Sequence, residues 1–190
     1  MFKSITVLVA VALLSFTLPN SSWKSDAVHS RFGFSVTHMG IASANGQFKD
    51  YTISITNTAA DFSDAVVELN AKVASIDTYN EMRNEHLKGA DFFDAAKYPE
   101  LTFKSTSFKK VKDKTFKVTG DLTLHGVTKK IELNAVLVGT AVNPQSKKEL
   151  VGFKVTGTIK RTDFGIATGM PVAMLADEVA ITGDFEFVKD

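Results

Sequence analysis

Few side chains in this sequence could do chemistry, and they are scattered. The 190 residues hold four histidines, His29, His38, His86 and His125, three arginines, Arg31, Arg83 and Arg161, and no cysteine. A zinc site needs three or four ligands oriented by a further layer of partners. No H-E-x-x-H and no histidine pair at metal spacing occurs, so the histidines read as structural or ligand-contacting. No metal and no cofactor are expected. Nucleophilic catalysis lacks both a cysteine and a G-x-S-x-G elbow. Asp163-Phe164-Gly165 stands without a glycine-rich nucleotide loop or an H-R-D segment, which excludes a kinase. The expectation is a protein that is not an enzyme. Arginine is the more informative residue. A buried guanidinium needs an anion, so an inward-pointing Arg161 predicts either a pair with Asp163 or Asp177 or a ligand head group.

The elements that would position these groups are strands. Period-two alternation puts every second side chain on one face of a sheet. Phe32, Phe34, Val36 and His38 share one parity, and so do Tyr51, Ile53 and Ile55. The same pattern runs through Val67–Val73, Phe116–Leu124, Ile131–Leu137, Phe153–Ile159 and Val179–Phe187, and Leu101–Val111 completes eight strands. Arg161 continues the parity of Phe153, Val155 and Ile159. Short links at Lys112-Asp113-Lys114 and Gly126-Val127-Thr128 predict antiparallel neighbours, hence a sandwich or a closed barrel.

Small residues decide for the barrel. Ala71, Gly120, Ala135, Gly157 and Gly183 sit on the apolar parity in mid-strand, where glycine weakens a strand unless something approaches closely or the sheet bends. As a set they predict room for a ligand inside, although any single one also suits a bulge or a corner. A lipid-facing membrane barrel is the alternative that alternation cannot exclude. Charges on the polar parity (Lys117, Asp121, Glu132, Lys154, Lys160, Glu186), one tryptophan and three tyrosines argue against it.

One segment breaks the alternation. Thr78-x-x-Glu81 predicts a capping box and Gly89 a stop, giving a short helical insertion near residues 78–96 with Arg83 beside His86. Phe92-Phe93 and Tyr98-Pro99 must then fold over something apolar, so this stretch is a candidate lid or a packed connection.

Residues 1–22 read as a secretory signal peptide: Lys3, an apolar run from Ile5 to Phe16 too short to span a bilayer, and small residues from Thr17 to Ser22. Residues 23–190 are then one exported domain of about 170 residues, stable without disulfides and, lacking cysteine, without a lipid anchor. The expected address is periplasmic or secreted. Charges number 22 basic and 21 acidic, and loss of Lys3 balances them. Nucleic acid is therefore excluded as a partner.

Several ordered blocks carry a family resemblance. They are Trp23-x-x-Asp26-x-x-His29-Ser30, Phe34-x-Val36-x-His38, Gly46-x-Phe48, Arg83-Asn84-Glu85-His86-Leu87, Asp91-Phe92-Phe93-Asp94, Tyr98-Pro99, Phe103-x-Ser105, Gly120 to Thr128, and Arg161-x-Asp163-Phe164-Gly165. The chain from Trp23 onward resembles the YceI-like, polyisoprenoid-binding family. The resemblance implies an all-β, lipocalin-like eight-stranded antiparallel β-barrel. Its pore would hold the tail of a long isoprenoid lipid, a polyprenyl phosphate or an isoprenoid quinone. It also implies a place near membrane quinone and cytochrome systems, and a homodimer stays open. Tail contacts are expected from Phe32, Phe34, Val36, Ile53, Leu69, Phe103, Leu122, Leu133, Val155 and Phe185, and mouth or head-group contacts from His38, Arg83, His86 and Arg161. The rival readings are a small metal-binding barrel and a purely structural, stress-related exported barrel filled by its own phenylalanines.

Overall fold

The computed structural model describes residues 20–190, so the expected leader lies outside the described residues as far as residue 19. Eleven strands form one sheet: β1 (Ser21–Ser25), β2 (Arg31–His38), β3 (Ala42–Phe48), β4 (Tyr51–Asn57), β5 (Val66–Lys72), β6 (Ile76–Asp77), β7 (Glu100–Lys112), β8 (Thr115–Leu124), β9 (Val127–Val142), β10 (Glu149–Lys160) and β11 (Leu175–Lys189). Their order is β1-β4-β5-β7-β8-β9-β10-β11-β2-β3-β6, and β1 pairs with β11 as well. The first six are three interrupted strands: β1 and β2 run end to end along β11, β3 and β4 face them, and β5 and β6 follow. Counted this way the wall is a closed eight-stranded antiparallel barrel, as the alternation and the resemblance predicted.

Strands β1 and β3 escape a search for apolar alternation. Trp23 is the single large apolar side chain of Ser21–Ser25, and Ala42–Gln47 contains none. Pairing supplies what their sequence lacks, since β1 lies between β4 and β11 and β3 lies between β2 and β6. The interruptions keep register through Asp26 N–H to Glu186 O (2.8 Å), Lys72 N–H to Asp50 O (2.9 Å) and Lys49 N–H to Ser75 O (3.2 Å). β1 opens at Ser21, two residues before the expected domain boundary. Its Ser22 carbonyl accepts Asp190 N–H at 2.9 Å, which ties the chain's last residue to the first strand.

Which face is inside is settled by the side chains. The outer face carries cross-strand ion pairs, Lys104–Glu68 (2.7 Å), Lys154–Asp184 (2.9 Å) and Lys130–Asp121 (3.0 Å). Each is exposed and screened by water, so singly it adds little to stability, but together they make a wall that faces water rather than hydrocarbon. The inner face is aromatic. At the end marked by β1, rings of Trp23, Phe62, Phe108, Phe116, Phe153 and Phe187 meet at centroid distances of 4.9–6.3 Å and close the barrel. Trp23 Nε1 donates to Asn57 Oδ1 at 2.8 Å, which satisfies the two polar groups buried in that plug.

The β8–β9 hairpin turns at His125-Gly126, one residue earlier than expected. Both have positive φ (52° and 73°), the arrangement whose twist suits a two-residue hairpin. Gly126 also cannot carry a Cβ, which would lie 2.4 Å from the Tyr98 ring. The short helical insertion forms where expected: α1 spans Glu81–Leu87, and residues 88–98 continue as hydrogen-bonded turns. The expected capping box does not form. Asn80 caps α1 instead, accepting Arg83 N–H on Oδ1 at 2.9 Å, because Thr78 is buried and its Oγ1 is engaged with Asn84 Oδ1 at 2.7 Å.

Candidate functional site

The interior holds two joined apolar spaces. At the open end, under α1, the β2–β3 turn and the segment 161–174, lies a chamber of about 470 Å³, within the usual range of small-molecule sites, ~300–1,000 Å³. Deeper in the barrel a narrow bore of about 80 Å³ runs toward the aromatic plug. Phe32, Leu101, Leu122 and Ile181 line both and form the neck between them.

Every side chain expected to face a tail lies on these walls. Ile53, Leu69, Phe103, Leu133, Val155 and Phe185 line the bore, Phe34 and Val36 line the chamber, and Phe32 and Leu122 line both. Alternation supplied the shared parity of most of them, because parity is a local property of the strand, and the resemblance supplied the interior tail. Residues that alternation did not find are Ala42, Ser43 and Ala44 of β3, Thr78, Phe93, Ile166, Met170 and Met174. The first three are too small to register as apolar. The methionines sit in a loop, where no periodicity exists, whereas the adjacent bulky pair Phe92-Phe93 signals in sequence its need for apolar cover.

The inward glycines act differently from the expectation. A Cβ on Gly183 would stand 2.1 Å from the Phe185 ring, one on Gly157 2.3 Å from Leu133 Cδ2, and one on Gly120 2.4 Å from the Phe103 ring. The glycines thus hold no ligand space of their own. Each leaves a gap in the wall that a neighbouring side chain fills by lying flat, and that keeps the ring out of the bore. The lower bore is nevertheless largely occupied by the protein's own aromatics, as the structural reading had it, and the open volume is concentrated in the chamber.

The mouth gathers His38, Arg83, His86 and Arg161, all four on the chamber wall. No aspartate or glutamate is among the residues lining the chamber, so its ionisable lining is basic throughout. The four are not equivalent. Arg161 is 3% exposed and directs all five of its N–H groups at backbone carbonyls: Nε to Ala176 (3.1 Å), Nη1 to Ile166 (3.1 Å) and Ala167, Nη2 to Met170 (2.9 Å) and Leu175 (3.0 Å). The expected carboxylate pair is not made. Asp177 instead accepts Thr162 Oγ1 at 2.7 Å, and that hydrogen bond holds its carboxyl below the usual range. Arg161 has no donor left for a head group; it gathers the segment 166–176 that frames the chamber.

Arg83 is exposed and anchored on one side, Nε donating to Thr78 Oγ1 at 2.8 Å and Nη2 to Thr78 O at 2.6 Å. Its Nη1 has no hydrogen-bond partner among the described residues. His86 lies one turn further along α1, its ring 4.8 Å from that of Phe92, and His38 closes β2 at the same opening. The other histidines serve the frame. His125 Nδ1 donates to Phe164 O at 2.9 Å, which bolts the β8–β9 turn to the 161–174 segment. His29 Nδ1 donates to Asp26 Oδ2 at 3.1 Å and lies 3.8 Å from Glu186 Oε1, at the break between β1 and β2. That hydrogen bond raises the His29 pKa and lowers that of Asp26. These three could present ligand atoms within 4.8 Å of one another, but Asp26 Oδ1 already accepts Val28 N–H at 2.7 Å. His38 stands at the far end of β2 from them.

Comparison with known proteins agrees with this architecture. Residues 23–187 match the model of the YceI-like domain. The YceI protein of Escherichia coli O157:H7 is 41% identical over 146 residues, which cover 75% of this chain and 73% of the relative. A crystal structure of the Campylobacter jejuni YCEI protein superposes with a TM-score of 0.73 at 35% identity, covering 81% of this chain and 90% of the other. A polyisoprenoid binding domain from Saccharophagus degradans, implicated in plant cell wall breakdown, shares the fold with a TM-score of 0.62 at 19% identity, over 88% and 98% of the two chains.

Proposed function

Because this chain belongs to the YceI-like family, we propose that it is an exported carrier that holds a long-chain isoprenoid lipid in its barrel and catalyses no reaction. The observation that carries this reading is an apolar chamber and bore, joined at one neck, that open through a mouth whose ionisable lining is all basic. A prenyl tail would leave water for the chamber, at roughly 25 cal/mol per Å² of apolar area buried. Its end would enter the bore past the Phe103 and Phe185 rings, which lie against the wall over Gly120 and Gly183. The polyisoprenoid binding domain of Saccharophagus degradans, alike in fold, supports an isoprenoid as the class of ligand.

The basic lining favours a phosphate-bearing head group over a quinone. Arg83 Nη1, His38 and His86 are the donors at the opening, and no carboxylate on the chamber wall opposes an anion there. The deeper side chains would set affinity through the tail, and these three would set the choice of head group. The leader-like residues 1–22 support export to the periplasm or beyond.

Native mass spectrometry of the protein taken from its export compartment, followed by organic extraction, tests this reading. The expected result is a bound isoprenoid of defined length, and titration with a polyprenyl phosphate should give tighter binding than a quinone of equal tail. A bare chain that takes up neither lipid would overturn it.

A further inference from the structure

The three segments that frame the chamber each expose apolar side chains to solvent. Ile41, 88% exposed, sits in the β2–β3 turn between the chamber-lining residues His38 and Ala42. Met82, 85% exposed, precedes Arg83 on α1, and Val172, 63% exposed, lies between the chamber-lining Met170 and Met174. Met39 is also exposed and its N–H donates to Met174 O at 2.9 Å, which joins two of these segments. Met39 has φ 53°, a conformation in which glycine or asparagine is the ordinary choice. A water-facing hairpin tip would be better served by either, on steric and on solvation grounds alike.

We propose that this rim is a membrane-docking surface, with which the protein seats its open end in the surface of a phospholipid bilayer to load or release its cargo. The proposal rests on the carrier reading. Exposed Val172 lies between Met170 and Met174, which line the chamber, so apolar side chains lead from this part of the rim into the barrel. Aliphatic and thioether side chains on separate loop tips can enter the acyl boundary independently. At the opening itself Arg83, His38 and His86 line the chamber with no carboxylate among them, and these three would meet the phosphates of an anionic leaflet. A protein partner would call for one contiguous face, whereas these tips surround a hole.

Flotation of the protein lacking its leader, with isoprenoid-free vesicles of phosphatidylethanolamine and phosphatidylglycerol, tests the docking. Three proteins are compared: the wild type, a rim variant (Ile41→Ser, Met82→Ser, Val172→Ser) and a far-end variant (Val111→Ser, Val138→Ser, Val142→Ser). The latter three valines are exposed at the plugged end of the barrel. The rim variant should bind vesicles about tenfold more weakly, and the far-end variant as the wild type does. All three should keep their melting temperature and take up a detergent-dispersed polyprenyl phosphate equally. Wild type that does not float, or a rim variant that floats like it, overturns the docking. Wild type that floats through its rim but takes up no isoprenoid from detergent overturns the carrier reading and upholds the docking.

Discussion

Replacing Arg161 by lysine separates two roles that both invoke its charge. Lysine keeps the positive charge but offers at most three donors where the guanidinium offers five. At least two of the five carbonyls at Ile166, Ala167, Met170, Leu175 and Ala176 must then lose their partner. A hydrogen bond to a charged group contributes about 1.5–3 kcal/mol net. Water reaching the carbonyls from the open chamber recovers part of that loss, so Arg161→Lys should destabilise by about 3 kcal/mol. For a domain of this size that is a fall of roughly 6–12 °C in Tm. Arg161→Met, which loses all five bonds, should cost about 5 kcal/mol. Urea unfolding followed by the fluorescence of Trp23, the chain's one tryptophan and part of the plugged end, reads both values. If Arg161 instead served as the counter-charge of a head group, lysine would leave stability almost unchanged and would preserve lipid affinity. A loss below about 0.5 kcal/mol for Arg161→Lys refutes the framing role. Arg83→Met makes the contrast: with an exposed side chain that reaches only Thr78, it should change stability by less than about 1 kcal/mol and weaken binding of a polyprenyl phosphate.

Three other perturbations read separate parts of the structure. The Tyr51 hydroxyl is buried without a hydrogen-bond partner among the described residues, and burial raises its pKa. Tyr51→Phe should therefore stabilise by about 1 kcal/mol in thermal unfolding, and a clear loss of stability would reveal a partner for the hydroxyl. Gly183→Ala drives a Cβ into the Phe185 ring, which must swing into the bore; a loss of about 1–3 kcal/mol with weaker binding of long tails is expected, and unchanged binding would show that the bore takes no tail. The His29–Asp26 pair gives a pH signature. The raised His29 pKa makes its contribution complete below the unfolded value of 6.5 and lost as pH rises through the folded one. The lowered Asp26 pKa makes its contribution complete above 3.8 and lost as pH falls through the folded one. The gap in melting temperature between wild type and His29→Gln should thus be widest between those two values and shrink toward pH 9; a constant gap would mean that packing, not charge, is lost.

Alternation in the chain determined an antiparallel all-β architecture and which side chains share one face of each main strand. Ile53, Leu69, Phe103, Leu122, Leu133, Val155 and Phe185 all stand on the bore wall, because side-chain parity follows from the covalent geometry of one strand. The ordered blocks from Trp23 onward determined the family. Strands β1 and β3 were decided only in three dimensions, since Ser21–Ser25 and Ala42–Phe48 become strands through the neighbours that pair with them. The same holds for the polar residues. Arg161 meets carbonyls where a carboxylate was expected because the chain after Phe164 loops back around its side chain. Thr78 is drawn from a capping role into a buried pair with Asn84. His29 reaches Glu186 because the last strand closes against the first. In each case the partner is set by strand register and loop path, which depend on every other pairing in the sheet and leave no periodic trace in the sequence.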